Sequence, residues 1–532
     1  MRIQLHHWKY CLVFCVLGLA TSCAEDPLYE VLILNGMIVD GTGAPAYAAD
    51  LAIRGGTIVE IGDLDGVVAQ RTIDASGLIV SPGFIDLHNH SDRNIRDNPG
   101  MENYLFQGVT TVLAGNCGNS PDDFSEFVES MEQAEIGLNL TLLIGHNRVR
   151  ESVMGNDNRA PTADEQAQME ALVTAAMDAG AFGLSTGLIY LPGTYSETDE
   201  VVSLARIVAN YDGIYASHIR NEFGEVLTAI EEAIQIGREA NLPVHISHFK
   251  VADNTMWGDS VKTLGLVAAA RNSGLDVTVD QYPYTAGSTG LANVLPKWAR
   301  AGDREDLQQR LDDPETRASI KAEVIDILYG ARAAGDLSRI TISSFESRPE
   351  LVGKTMAEVT RMNGLEITIE NGAEVAMNLL YEDSPSAIYH MMVEDDVRRI
   401  MRAPFTSIAS DGSAVTFDED MPHLRNYGTF PRVLRKYVRE ESLLSLEDAI
   451  NKMTLMPASR IGLPMRGSIS KGNFADIVVF DAESITDYDD WTNPHRYASG
   501  IVYAFVNGVA VIEQGERTDA LPGRMLRKQV KH

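Results

Sequence analysis

Short apolar runs alternate with amphipathic helical segments between about residue 80 and residue 460. Apolar runs such as 109–113, 213–218 and 243–248 have the length of buried strands, and segments such as 225–240 carry apolar residues at helical spacing. Repeated strand–helix units of this length predict a parallel sheet. So many of them favour an α/β fold of the (β/α)8 type, a TIM-type barrel, over an open sheet.

The regions on either side of this segment are rich in predicted strands. Residues 29–61 contain short apolar runs separated by Asn35-Gly36 and Gly55-Gly56, and runs at 475–480 and 502–511 include another Asn-Gly turn. We expect residues 23–80 and 461–532 to form one small β-sandwich completed by both chain ends. The catalytic barrel is then expected at 81–460. A charged, helical stretch at about 292–350 interrupts the alternation of strands and helices. It is predicted to be an insertion that can cap the active site.

The first 22 residues have the pattern of a targeting segment. A basic start is followed by an apolar core at 11–20, which is too short for a usual membrane span. Small residues before Cys23 resemble a bacterial lipobox. We expect residues 1–22 to be a signal peptide and Cys23 to be lipidated, giving a membrane-anchored periplasmic lipoprotein. Cleavage nearby, with a soluble exported product, is the alternative.

Charge and cysteine content narrow the possible functions. The chain has 75 acidic against 44 basic residues, a formal net charge of −31, which argues against binding nucleic acid or an anionic membrane surface. Of its four cysteines, Cys11 and Cys15 lie in the predicted signal and Cys23 is the expected lipid site. Cys117 is left alone, so a disulfide framework is excluded. A lone thiol in an oxidising compartment needs protection, which a bound metal would give.

Metal-binding side chains follow the predicted barrel strands. His88 and His90 are two residues apart after an apolar run, so their side chains point the same way. The other candidates at strand ends are Cys117, His218, His248 and Asp411. Each alone has an ordinary explanation, as a satisfied core histidine, a small buried residue or a turn. Together, at the edge where barrel enzymes carry their active sites, they predict a metal centre, and thiolate with imidazole favours zinc.

A set of longer motifs covers nearly all of the chain after the signal. They are Pro82-Gly83-Phe84-Ile85-Asp86, Gly115-Asn116-Cys117-Gly118, Ser185-Thr186-Gly187-Leu188, Ser217-His218, Ile246-Ser247-His248, Gln281-Tyr282-Pro283-Tyr284, Ser410-Asp411-Gly412 and Pro422-His423-Leu424-Arg425. In these motifs the chain resembles the N-acyl-D-amino-acid deacylases (D-aminoacylases) of the amidohydrolase superfamily.

The resemblance implies a zinc-dependent hydrolase that cleaves the amide of N-acyl-D-amino acids, with dipeptides ending in a D-residue as further candidate substrates. It assigns a tight zinc site to Cys117, His218 and His248, and a second, weaker site to His88, His90 and Asp411. Asp411 is the implied catalytic residue, which takes a proton from water and delivers one to the leaving amine. The implied clamp for the substrate carboxylate, away from the breaking bond, is Lys250, Tyr282 and Arg425, with Tyr190 and Ser288 nearby.

Departures from the family pattern, among them Asn89-His90-Ser91-Asp92 after the first histidine, leave the preferred amino-acid side chain open. Leu424 stands where proline is usual, and an acidic loop at 417–420 lies beside Arg425. One alternative function is hydrolysis of cyclic amides, as in dihydroorotases and hydantoinases. Cys117 and Arg425 count against it, because those enzymes usually carry lysine at the bridging position. The other alternative, a non-catalytic ligand-binding lipoprotein, is expected to lack Asp411 or several of the ligands.

Overall fold

A computed structural model describes residues 28–529 of the chain. The predicted signal peptide and the predicted lipidation site, Cys23, lie outside these residues. Within them, no helix combines the length and apolar character needed to cross a membrane.

Eight parallel strands form a closed barrel. In chain order they are Phe84–Asp86, Val109–Ala114, Asn139–Leu142 continued by Ile144–Gly145, Gly183–Gly187, Ile214–His218, Val244–Ile246, Val277–Gln281 and Thr406–Ile408. The eighth strand closes on the first through a hydrogen bond from Asp411 N to His88 O of 2.8 Å. The strands are buried almost throughout, which is why they read as continuous runs rather than as alternating patterns. The (β/α)8 prediction is confirmed.

Helices surround the barrel and cover the outer faces of its strands. The helices of this layer are Glu102–Leu105, Phe124–Glu132, His146–Met154, Ala163–Asp178, Thr198–Ala209, Val226–Ala240, Ser260–Asn272, Glu394–Arg402, Arg425–Arg432, the π-helix Val433–Glu440, Leu446–Met453 and Leu455–Ile461. Packing is close where Gly237 faces the strand after its helix, because a Cβ there would collide with Val244. Short 3-10 turns lie at Ser91–Arg93, Gly193–Tyr195, Asn254–Met256, Leu291–Val294, Lys297–Arg300, Leu337–Arg339 and Pro349–Leu351.

Both chain ends build the small β domain, which is one nine-stranded sheet. Its strands are Tyr29–Ile38, Tyr47–Arg54, Thr57–Gly62, Ala69–Asp74, Ile79–Pro82, Ile477–Phe480, Ile501–Val506, Val509–Glu513 and Glu516–Arg517. The two ends join where Ile79–Pro82 pairs antiparallel with Ile477–Phe480. A shared apolar core that includes Ile33, Ile477 and Phe505 holds them together. A small β domain completed by both ends is therefore present.

The insertion is larger than the predicted range of about 292–350. It begins with the strand Ala286–Gly290, which pairs antiparallel with Ser386–His390, and Ile340–Ser344 completes this sheet. Four helices pack on it, Arg304–Asp312, Pro314–Tyr329, Met356–Met362 and Ile369–Glu382, around an apolar core of their own. The predicted bounds were wrong because the first strand, Ala-Gly-Ser-Thr-Gly, lacks the apolar residues that mark a strand, and its partner is about 100 positions away in the chain.

Candidate metal centre and active site

The carboxyl ends of the barrel strands bring four predicted metal ligands together around one sulfur atom. Cys117 Sγ lies 3.3 Å from His88 Nε2, 3.5 Å from His218 Nδ1 and 3.6 Å from His248 Nε2. The nitrogens of His218 and His248 that face this sulfur are 2.7 Å apart. All four side chains are buried. Their donor atoms thus converge on a single point, as predicted from the sequence.

Asp411 and His90 extend this cluster toward the opening of the barrel. Asp411 Oδ1 lies 3.1 Å from His90 Nε2 and 3.4 Å from His88 Nε2. The structure contains three overlapping groups whose donor atoms all lie within 4.8 Å of one another: His88–His90–Cys117, Cys117–His218–His248 and His88–His248–Asp411. The six predicted ligands therefore form one continuous set, in which His88, Cys117 and His248 each belong to two of the three groups.

The donor set fits a soft divalent cation. Burial raises the pKa of the Cys117 thiol, but the neighbouring His88 and His218 outweigh burial and hold that pKa well below its ordinary value. The Nε2 atom of His218 is buried and forms no hydrogen bond with any residue that the structure describes. A thiolate facing three imidazoles is a ligand combination typical of zinc and unsuited to magnesium or calcium.

Three of these ligands have backbone conformations that are uncommon outside glycine. The φ angles of Cys117, His248 and Asp411 are +55°, +36° and +53°. Such conformations persist where the surrounding structure fixes them, and they concentrate at functional sites. The amide of His248 is held by Asp280 Oδ1 at 2.7 Å, and that of Asp411 by His88 O at 2.8 Å. The backbone is thus fixed in the form that points the ligands inward.

Asp280 orients three histidines and was not among the predicted site residues. Its Oδ2 lies 3.3 Å from His88 Nδ1 and 2.8 Å from His245 Nε2, while its Oδ1 accepts the His248 amide. Burial raises the pKa of Asp280, but the charges and hydrogen bonds of His88 and His245 outweigh it and keep this carboxylate ionised. A carboxylate that fixes the far nitrogen of a ligating histidine is a common supporting feature of metal sites. Its position at the end of an apolar strand is a signal that could have revealed it.

Glu222 forms a second supporting group that the sequence did not reveal. Its Oε1 lies 2.5 Å from Lys250 Nζ and 3.0 Å from His248 Nδ1. Burial raises the pKa of Glu222, yet Lys250 and the histidines outweigh it and hold that pKa well below its ordinary value. Lys250 also lies 2.8 Å from His248 Nδ1 and 5.7 Å from the Tyr282 ring centroid. The predicted clamp lysine is thus buried beside the metal ligands with a paired charge.

Arg425 is in contact with the catalytic carboxylate. Its Nη1 donates to Asp411 Oδ2 at 2.7 Å, and its guanidinium lies 5.0 Å from the Tyr282 ring centroid. Burial raises the pKa of Asp411, but Arg425, His88 and His90 together outweigh burial and hold that pKa well below its ordinary range. Arg425 therefore lies against the residue assigned to proton transfer, a contact that the sequence did not predict. The contact forms because the helix Arg425–Arg432 starts only 14 positions after Asp411, and the intervening loop folds back over the barrel.

A cavity of about 930 Å³ opens above the ligands and is lined by His90, Cys117, His248, Asp411 and several residues of the loop 413–423. A narrower inner space adjoins it. The residues bordering the inner space include all five predicted substrate-binding residues, Lys250, Tyr282, Arg425, Tyr190 and Ser288. Burial raises the pKa of both Tyr190 and Tyr282, so both hydroxyls are neutral at neutral pH. Arg332, from the insertion, also borders the inner space and was not predicted.

Comparison with known proteins places the chain in a family. A sequence profile described as "Amidohydrolase family" matches residues 71–512. D-aminoacylase of Alcaligenes xylosoxydans xylosoxydans is 35% identical over 529 residues, covering 95% of this chain and 99% of that protein. N-acyl-D-glutamate deacylase of the same organism is 36% identical over 521 residues, covering 94% and 96%.

A solved structure shares the fold over the same length. N-acyl-D-glutamate deacylase of Bordetella bronchiseptica, in complex with zinc and a phosphonate inhibitor that mimics the tetrahedral intermediate, superposes with a TM-score of 0.81 at 34% sequence identity. The match covers 94% of this chain and 99% of that one. The chain belongs to the amidohydrolase family and, within it, to the D-aminoacylases (N-acyl-D-amino-acid deacylases).

Proposed function

We propose that this protein is a zinc-dependent hydrolase that converts N-acyl-D-amino acids into a carboxylate and a free D-amino acid. The observation that carries the proposal is the convergence of Cys117, His218 and His248 beside Asp411, in a cavity that also contains the cations Lys250 and Arg425. The similarity to D-aminoacylase over almost the full length of both chains supports the same activity.

Zinc is the cofactor, and the chain provides two adjoining sets of ligands for it. Cys117, His218 and His248 form the tight site, because they supply a thiolate and two imidazoles that are almost fully buried. His88, His90 and Asp411 form the weaker site nearer to the opening. When bound here, zinc supplies Lewis acidity, which polarises a carbonyl and makes water a stronger acid.

The protein's own residues handle the proton and hold the substrate. Asp411 is ionised at neutral pH, so it can accept a proton from the attacking water and pass one to the leaving amine. Arg425 holds Oδ2 of Asp411 at 2.7 Å, while Oδ1 of Asp411 faces His90 and His88. Lys250, Tyr282 and Arg425 surround the position for the substrate carboxylate, and the buried walls around them limit the access of bulk water.

A panel of substrates tests this function and separates it from the alternatives. N-acetyl-D-amino acids, their L-enantiomers, a dipeptide with a C-terminal D-residue and a cyclic amide are compared on zinc-loaded protein. Hydrolysis of the D-compounds, with little turnover of the L-compounds or the cyclic amide, is expected. Preference for the cyclic amide would support a hydantoinase-like enzyme, and no turnover of any compound would support a binding protein.

We also propose that the protein is exported and anchored to the membrane through a lipid on Cys23, in the periplasm of a bacterium. The basic start, the short apolar core and the small residues before Cys23 support this. Mass spectrometry of the native N-terminus tests it. A lipid-modified Cys23 is expected, and an unmodified N-terminus elsewhere would contradict the anchor without affecting the catalytic proposal.

A further inference from the structure

The inner part of the cavity contains an arginine that neither the metal centre nor the carboxylate clamp uses. Arg332 comes from the insertion, is 6% exposed, and borders the same inner space as His248, Lys250 and Tyr282. We propose that Arg332 binds the side-chain carboxylate of the substrate, so that the preferred substrates are N-acyl derivatives of acidic D-amino acids. This inference rests on the proposed function and specifies its substrate class.

The charges in the inner space single out Arg332. Lys250 lies 2.5 Å from the Glu222 carboxylate, and Arg425 lies 2.7 Å from that of Asp411. Within residues 28–529, Arg332 forms no ion pair, and its side-chain hydrogen bond runs from Nη1 to Met391 Sδ at 3.8 Å. A thioether is a weak acceptor. Arg332 is thus a buried cation whose strong donors remain available, and a buried charge is unfavourable unless it is paired.

The surroundings of Arg332 hold its guanidinium in a defined position. Its Cζ lies 4.5 Å from the ring centroid of Phe223 and 5.2 Å from that of Tyr389. The hydroxyl of Tyr389 donates to Gly290 O at 3.3 Å, which fixes this ring. Aromatic rings attract a cation but cannot neutralise it. The planar guanidinium of Arg332 is therefore ordered before a ligand binds. This lowers the entropy lost when a carboxylate binds to it through two hydrogen bonds.

A second arginine, Arg300, adds to the positive potential around Arg332. Arg300 Nη1 donates to Asn293 Oδ1 at 2.8 Å, and its buried Nε forms no hydrogen bond within the described part of the chain. Burial and the charge of Arg332 both lower the pKa of Arg300, which indicates that the two guanidiniums are close enough to repel. A bound carboxylate relieves this repulsion, whereas an apolar side chain leaves it in place.

The acidic rim of the outer cavity does not oppose this assignment. Asp97, Glu419 and Asp420 line the outer cavity, but all three are exposed to solvent. Water and salt screen exposed charges over about 10 Å, while a buried charge such as that of Arg332 is screened much less. The rim can slow the entry of an anionic substrate, and Arg332 acts on the substrate once it is bound.

The test compares charged and neutral substrates of similar shape on zinc-loaded protein. N-acetyl-D-glutamate and N-acetyl-D-aspartate are measured against N-acetyl-D-glutamine and N-acetyl-D-leucine. For the unmodified protein, kcat/KM is expected to be highest for an acidic substrate. In Arg332→Met, kcat/KM for the acidic substrates should fall about 10- to 100-fold, the usual effect of losing a hydrogen bond between charged groups. Values for the neutral substrates should change by less than about threefold.

Two further variants keep the test decisive. Arg332→Lys retains the positive charge but not the planar guanidinium. Its kcat/KM for acidic substrates should lie between the values of the unmodified protein and of Arg332→Met. Arg339→Met is the matched control, because Arg339 also stacks on an aromatic ring, with its Cζ 5.2 Å from the Trp257 ring centroid, but does not line the cavity. It should leave the ratio of acidic to neutral substrates unchanged. Zinc content and Tm are measured for every variant.

The results that overturn the inference differ from those that overturn the proposed function. Equal losses for acidic and neutral substrates in Arg332→Met would show that Arg332 serves the α-carboxylate or the fold. A clear preference of the unmodified protein for neutral D-substrates would also overturn the assignment while leaving D-amino-acid deacylation intact. Absence of turnover for every N-acyl-D-amino acid would overturn the proposed function and this inference with it.

Discussion

Arg425 Nη1 donates to Asp411 Oδ2 at 2.7 Å, and both side chains are buried beside the metal ligands. The carboxylate proposed to move the proton and the arginine proposed to hold the substrate are therefore one hydrogen-bonded unit. A change in either residue alters the charge and orientation of the other. Their contributions to catalysis are accordingly expected to be coupled rather than additive.

Arg425→Ala should impair both substrate binding and turnover. Loss of the guanidinium removes a partner of the substrate carboxylate and frees Asp411 from its fixed orientation, so KM should rise and kcat should fall. Misplacement of a reacting group by about 1 Å can cost about 100-fold in rate, which sets the scale for kcat. Steady-state kinetics with an N-acyl-D-amino acid and its α-carboxamide provide the measurement. Unchanged kcat with a raised KM would mean that the contact with Asp411 is unimportant for turnover.

Asp411→Asn should chiefly lower kcat. The amide keeps the shape of the side chain but cannot accept the proton, and general acid–base catalysis is typically worth about 10²–10⁴-fold. KM should change less than kcat, because Lys250, Tyr282 and Arg425 all remain, although Arg425 loses the charge of its partner. Zinc content is measured on the same preparation, since Asp411 also adjoins His88 and His90. Near-normal kcat with zinc bound would rule out Asp411 as the proton carrier.

Cys117→Ala should abolish tight zinc binding. The sulfur is the common neighbour of His88, His218 and His248, and its replacement removes the anionic ligand from the buried site. Elemental analysis after dialysis against a mild chelator should find zinc in the unmodified protein and little in the variant. Retention of stoichiometric zinc by Cys117→Ala would show that the tight site is built from other residues.

Asp280→Asn should weaken zinc binding without removing a ligand. Asp280 fixes His88 and the backbone of His248, and loss of such a supporting carboxylate typically costs about 10- to 100-fold in metal affinity. Competition with a chromogenic chelator measures the affinity. Asp276→Asn is the control, because Asp276 lies just before the same strand, at its opposite end, and is exposed. Equal affinities in both variants would exclude the supporting role of Asp280.

The sequence predicted those site residues that have a metal-binding side chain and also directly follow an apolar run. His88, His90, Cys117, His218 and His248 were identifiable because each follows an apolar run, and in a barrel all such positions share one edge. The contact between Arg425 and Asp411 could not be predicted, because it depends on how the 13 residues between them, 412–424, fold back.

Other features depend on contacts between distant segments or lack a distinctive pattern. Glu222 lies in a loop after its strand with no motif around it, and Arg332 comes from an insertion whose first strand is too poor in apolar residues to be recognised. Glu222 and Arg332 can be recognised as site residues only from the tertiary structure, in which the insertion packs against the barrel and both charges lie at the same cavity.

The most direct test of the account is hydrolysis of one pair of enantiomers with and without zinc. N-acetyl-D-glutamate and N-acetyl-L-glutamate are supplied to protein stripped of metal, verified by elemental analysis, and to the same protein after addition of zinc. We expect no turnover of either compound without metal, and turnover of the D-enantiomer alone once zinc is restored. Full activity of the metal-free protein, or equal hydrolysis of the L-enantiomer, would contradict it.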